Sequence, residues 1–91
     1  MNKTELIEAV AESAGTTKAT AHAAVNAILS NISDALIHGN DVQIAGFGTF
    51  TVRNRAARTG RNPQTGATLQ IAASKVPAFK PGKTLKESVN V

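Results

Sequence analysis

The first forty positions alternate between apolar and polar residues with a helical period. Leu6, Ile7, Val10, Ala11 and Ala14 recur at spacings of three and four, which predicts an amphipathic helix. Asn2 stands three residues before Glu5, the spacing of a capping box with Asn in the Ser/Thr role. Gly15 stops the run, so the first helix is expected over about residues 3–14. Thr17 can cap a second helix. Its stripe is Ala21, Ala24, Val25, Ile28, Leu29, Ile32, Ala35 and Leu36, and Gly39 ends it. About twenty residues rising 1.5 Å each make a helix of roughly 30 Å. So long a helix in a 91-residue chain calls for a neighbour along its side, either another helix or another copy.

After Gly39-Asn40 the period drops to two. Val42 and Ile44 alternate with Asp41 and Gln43, as in a half-buried strand. Gly46-Phe47-Gly48 predicts a turn. Thr49 to Arg55 reads as a second strand with Phe50 and Val52 on one face. From Arg53 to Val76 the large apolar residues thin out to Leu69, Ile71 and Val76. The middle of this segment, Gly60-Arg61-Asn62-Pro63-Gln64-Thr65-Gly66, is dense in turn formers. A hairpin folding there has arms of roughly ten residues, about 33 Å each. Its outer half has almost nothing to bury, and an isolated two-stranded ribbon is marginally stable. The expectation is a protruding arm over about 53–76, mobile until something binds it. Phe79-Lys80-Pro81-Gly82 leads into a short helix at about 83–89. The fold class is therefore α+β: two N-terminal helices, an antiparallel sheet extended into a ribbon, and a short C-terminal helix.

Length predicts one domain over 1–91. Within it, 1–39 is helical, 40–82 holds the sheet and arm, and 83–91 is the last helix. A domain this small buries only part of its surface, and association is a common remedy. The absence of cysteine excludes disulfides and thiolate metal sites. No apolar run follows Met1-Asn2-Lys3-Thr4-Glu5 that could serve as a signal or a membrane span, so a cytoplasmic protein is expected.

Charge divides the chain. Residues 1–50 carry Lys3 and Lys18 against Glu5, Glu8, Glu12, Asp34 and Asp41, a net −3. Residues 51–91 carry Arg53, Arg55, Arg58, Arg61, Lys75, Lys80, Lys83 and Lys86 against Glu87, a net +7. A mildly acidic scaffold with a basic end suits a polyanion. Spacing by two puts Arg53 and Arg55 on one face of a strand. Arginine forks donate several hydrogen bonds and shed water readily, and a two-stranded ribbon fits a DNA groove. The alternative is a solubilising edge that discourages strand pairing, a task usually given to lysine.

Pro63 has two readings. Asn-Pro is an ordinary turn start; an apolar ring at the tip of a basic hairpin could also wedge between base pairs. Lys83 and Lys86 are either flanking DNA contacts or plain surface lysines. Gly46-Phe47-Gly48 lacks the third glycine of a dinucleotide loop, and Gly82-Lys83-Thr84 has Pro77 where a Walker A loop needs glycine. His22 and His38 are about four turns apart on one helix and cannot share a metal. His38 suits a helix C-terminus, and Asp34 four residues before it makes a helix-surface pair. No nucleophile–base arrangement stands out, so no enzyme, cofactor or small-molecule substrate is expected. Phe47, Phe50 and Phe79 are the only aromatics, and all lie in apolar patterns that point to core packing.

Three stretches resemble the bacterial HU/IHF family: Gly46-Phe47-Gly48-x-Phe50, Arg55-Ala56-Ala57-Arg58-Thr59-Gly60-Arg61-Asn62-Pro63-Gln64-Thr65-Gly66, and Ser74-Lys75-Val76-Pro77-Ala78-Phe79-Lys80-Pro81-Gly82-Lys83. The opening Met1-Asn2-Lys3-Thr4-Glu5-Leu6-Ile7 is similar to the HU branch, so the resemblance spans essentially the whole chain. It implies an intertwined dimer, of identical or paralogous subunits, whose helices form the base and whose two arms hold double-stranded DNA in the minor groove. Pro63 would be the intercalating tip. Arg53, Arg55, Arg58, Arg61, Asn62, Gln64 and Lys75 would line the arm, and Lys3, Lys80, Lys83 and Lys86 would hold flanking phosphates. Phe47, Phe50 and Phe79 would fill the dimer core.

The resemblance is closer to HU than to IHF, whose subunits tend to carry extra terminal residues. It implies a nucleoid protein that bends and compacts duplex DNA with little sequence preference, with an IHF-like sequence-preferring regulator as the alternative. A protein-interaction module whose arm adds a strand to a partner is the rival from another class. Two departures stand out. Many HU chains carry charge near positions 19–20 and 67–70, where this one has Ala19-Thr20 and Ala67-Thr68-Leu69-Gln70. Thr20 cannot complete an acidic capping box, and the neutral return strand implies a smaller share of DNA contact.

Overall fold

The computed structural model describes residues 1–91, which form two compact units, Met1–Asp34 and Ala35–Val91. In the first, α1 runs Lys3–Ala14. The Asn2 side chain accepts a hydrogen bond from the Glu5 backbone N–H at 2.8 Å, satisfying one of the orphan donors at the helix start. The helix stops at Gly15. α2 spans Lys18–Ile37 and so runs on into the second unit. Thr17 Oγ1 accepts from the Thr20 N–H at 3.1 Å and donates to the Thr20 hydroxyl at 3.0 Å. Thr20 thus ties itself to the cap through its hydroxyl, although it supplies no carboxylate.

Ile7 and Ala11 of α1 meet Ala21 and Val25 of α2 in the core, with Val10 packed beside them. Ala21 is fully covered. These four are the only buried apolar side chains of the chain. At about 1.5–3 kcal/mol for a buried Ile or Val, so small a core stabilises little. Only Ala21 and Val25 of the predicted α2 stripe are buried. Ile28 and Leu29, which continue it, are 57% and 44% exposed.

In the second unit five strands and a helix follow the end of α2: β1 (Val42–Ile44), β2 (Gly48–Arg55), β3 (Arg58–Arg61), β4 (Thr68–Ile71), β5 (Ser74–Pro81) and α3 (Lys83–Val89). β1, β2 and β5 form a three-stranded antiparallel sheet with β2 in the centre, and β3 and β4 form a separate two-stranded one. Phe50 lies opposite Phe79, with ring centroids 4.8 Å apart, and Phe47 adds a third ring 5.3 Å from Phe79. Tilted pairs at such distances are favourable beyond the area they bury. Gly48 makes this packing possible. A Cβ there would stand 2.5 Å from the Lys80 carbonyl oxygen and 2.6 Å from the Phe79 ring, so no larger residue fits without displacing the strand. The Gly82 N–H donates to the Phe47 carbonyl at 2.8 Å, which anchors the start of α3 to the same turn.

The sheet and the ribbon match the expected topology, with two differences. The ribbon is not one unbroken ladder, because the pairing opens at Ala56-Ala57 and Ala72-Ala73. The turn is also shorter than the turn formers imply, since Gly60 and Arg61 belong to β3.

Candidate nucleic-acid interface

β2 and β5 pair outward from Gly48↔Pro81 to Arg55↔Ser74, and β3 and β4 from Arg58↔Ile71 to Arg61↔Thr68. The two ladders share one register: two residues are skipped on each strand and alignment resumes unchanged. Alanine is a weak strand former. Four alanines facing one another also supply none of the larger cross-strand pairs that stabilise a ribbon. Recesses of about 480 and 510 Å³ open at this joint. Arg55, Arg58 and Ile71 line the first; Asn54, Arg55 and Lys75 line the second.

The cations lie along the ribbon on both faces. Arg53 and Arg55 share one face of β2, opposite Val76 and Ser74, as their spacing predicts. In β3, Arg58 and Arg61 fall on opposite faces, being three residues apart. Lys75 stands across from Asn54, and Lys80 across from Thr49. From Arg53 to Lys75 every residue is exposed except Gly60 and Asn62, which are half-buried. The ion pairs Lys18–Glu8 at 3.8 Å and Lys83–Glu87 at 3.9 Å do not involve the arm arginines. Between Thr51 and Lys86 there is no carboxylate at all, so nothing on the ribbon offsets its positive field.

At the tip, the Asn62 N–H donates to the Ala67 carbonyl at 2.8 Å, and the Gly66 N–H donates to the Asn62 carbonyl at 2.7 Å. Asn62 Oδ1 accepts from the Gln64 N–H at 2.9 Å, and Thr65 Oγ1 accepts from the Ala67 N–H at 3.2 Å. Gly66, at φ 71°, takes the left-handed conformation that closes the loop. Pro63 and Gln64 are left exposed at the apex. Asn62 therefore shapes the tip: its oxygen is committed to the turn, a role the Asn-Pro pair signals. Thr65 has a similar part that the sequence reading passed over.

Lys83 and Lys86 sit three apart on α3. The Lys83–Glu87 pair is too exposed to hold Lys83 firmly. Lys3 opens α1 in the other unit. There it lines a recess of about 380 Å³ with Thr4, Ile7, Glu8, Lys18 and His22. No cluster of histidines or carboxylates able to hold a metal ion is present, and no helix is long and apolar enough to cross a membrane.

Two helices, a three-stranded sheet and a basic ribbon drawn out of that sheet define the class: the chain belongs to the family of bacterial DNA-binding proteins, whose pattern matches residues 1–90. Within it the chain is similar to proteins named HU. It is 62% identical over 89 residues to the DNA-binding protein HU of Geobacillus stearothermophilus, covering 98% of this chain and 99% of that one. It is 60% identical over 89 residues to the DNA-binding protein HU-alpha of Vibrio proteolyticus, again covering 98% and 99%. Among solved structures, it superposes on HU in an Anabaena HU–DNA cocrystal with a TM-score of 0.90 at 48% identity, covering 98% of this chain and 97% of that one. HU from Thermotoga maritima gives a TM-score of 0.71 at 40% identity, with 98% of each chain covered.

Proposed function

We propose that this protein is a histone-like architectural protein that binds duplex DNA through the minor groove, with little sequence preference, and bends and compacts it. The observation that carries the reading is the exposed ribbon whose arginines have no carboxylate partner in the chain. Arg53, Arg55, Arg58, Arg61 and Lys75 neutralise phosphates along the arm. Asn62 and Gln64 present the tip, and Pro63 is the wedge that opens a base step. Lys3, Lys80, Lys83 and Lys86 hold the flanks. The wide HU relationship supports this over an IHF-like regulator. The role is architectural rather than enzymatic, and its setting is the nucleoid in the bacterial cytoplasm.

The working form is a dimer, of identical subunits or with a paralogous one, built on residues 1–39. Its support is apolar surface. Large apolar side chains of both units are left exposed. Ile28, Ile37, Phe47 and Phe79 are among the residues left open. A second subunit over Phe47, Phe50 and Phe79 completes a core that one chain only begins.

The test is a gel-shift series of intact, nicked and pre-bent duplexes across salt concentrations, with random and selected sequences in competition. Binding should weaken steeply with salt, favour bent or nicked DNA and ignore sequence. Tight binding to one selected sequence over random DNA would return the IHF-like reading. Salt-independent binding would end the electrostatic one.

A further inference from the structure

The outer ribbon has two edges of different chemistry. β3 carries Arg58 and Arg61. β4 with the two residues after it, Thr68-Leu69-Gln70-Ile71-Ala72-Ala73, has no charge, proline or glycine. β4 pairs with β3 alone, and all four of its residues are exposed. In the three-stranded sheet one edge, β5, carries Lys75 and Lys80 together with Pro77 and Pro81, the residues that normally blunt an open strand, and the other, β1, is only three residues long. A neutral six-residue segment with an unpaired edge is a template for another strand.

We propose that in the DNA-free protein β4 pairs antiparallel with β4 of a second copy, joining the ribbons of separate dimers. The count of chains rests on the dimer reading above; the strand pairing does not. A two-fold axis through Gln70 sets Leu69 opposite Ile71 of the second copy, and Ile71 opposite its Leu69. These side chains, 45% and 39% exposed, then cover one another on one face. Charge selects this edge. With β4 against β4, the two β3 strands lie three strand spacings apart, about 14 Å, beyond the screening length of about 8 Å at physiological ionic strength. Pairing through β3 would instead set Arg58 and Arg61 against the same residues of the other copy. A duplex gripped by the ribbon competes for the same edge.

The test uses the full chain with Gln70→Cys, with Thr59→Cys on β3 as control. Directly opposed antiparallel residues have Cα atoms about 4.5–5.5 Å apart, within reach of a disulfide. Under mild oxidation without DNA, Gln70→Cys should give covalent species that sediment natively as four chains or more, and Thr59→Cys should not. Added duplex should suppress them. Gln70→Lys, which opposes like charges at the axis, should abolish the larger species seen by sedimentation of the uncross-linked protein. Equal cross-linking of both cysteine variants, or a native mass that stays at the dimer, would overturn the inference. If that happens while DNA affinity is intact, the architectural reading survives and only the edge pairing falls.

Discussion

Arg55 is the residue at which the electrostatic argument is most open to measurement. It ends β2, is exposed, lines both recesses at the alanine joint and takes no part in the Lys18–Glu8 or Lys83–Glu87 pair. Arg55→Gln keeps a side chain of similar reach and removes the charge. In a dimer it removes two charges. Each neutralised phosphate contributes about 0.9 to the slope of log K against log salt, so the slope should become shallower by about 1.8. The five arm cations of each chain would give a slope of at most about −9 for two arms. The change is therefore a fifth of what the two arms contribute, and measurable. The assay is anisotropy of a labelled duplex titrated between 50 and 200 mM salt. Lys18→Gln is the control, because Lys18 pairs with Glu8 on the helical unit and should leave the slope unaltered. If Arg55→Gln weakened binding equally at every salt concentration with no change of slope, Arg55 would not be neutralising phosphate, and the proposed footprint would be wrong.

Pro63→Ala should keep most of the affinity while reducing the bend angle seen by energy transfer between duplex ends; equal losses of both would refute the wedge. Gly48→Ala forces a methyl against the Lys80 carbonyl and the Phe79 ring. It should cost about 1–3 kcal/mol, read as a fall of several degrees in Tm. Because the isolated chain buries so few apolar side chains, Tm should rise with protein concentration, as mass action requires of an obligate dimer. A concentration-independent Tm would argue for a self-sufficient monomer.

The ends of α1 were legible because Asn2 and Gly15 act locally, through hydrogen bonds and backbone conformation within a turn. β1, β2 and α3 were legible for the same reason, with strand alternation and Gly82 marking their limits. The helical stripe of α2 showed which face seeks cover. It did not show that its own chain would bury only Ala21 and Val25, since that depends on what α1 can reach. The joint in the ribbon was not legible either. Ala56-Ala57 and Ala72-Ala73 are unremarkable until the register sets them opposite each other. At the tip, the Asn-Pro pair signals a turn, but that the Asn62 carboxamide oxygen closes it by accepting from the Gln64 N–H is visible only in the folded loop.

The joint has a consequence for how this arm can change over evolutionary time. Both strands skip the same number of residues, so matched insertions, one per strand, would lengthen the arm without upsetting its alignment. An insertion in only one strand would shift that strand by one place against its neighbour. A strand moved by one residue turns its side chains over against its partner's, so the pairs Arg58–Ile71 and Arg61–Thr68 would be lost. Natural variants of this arm should accordingly gain or lose residues in equal numbers on its two legs.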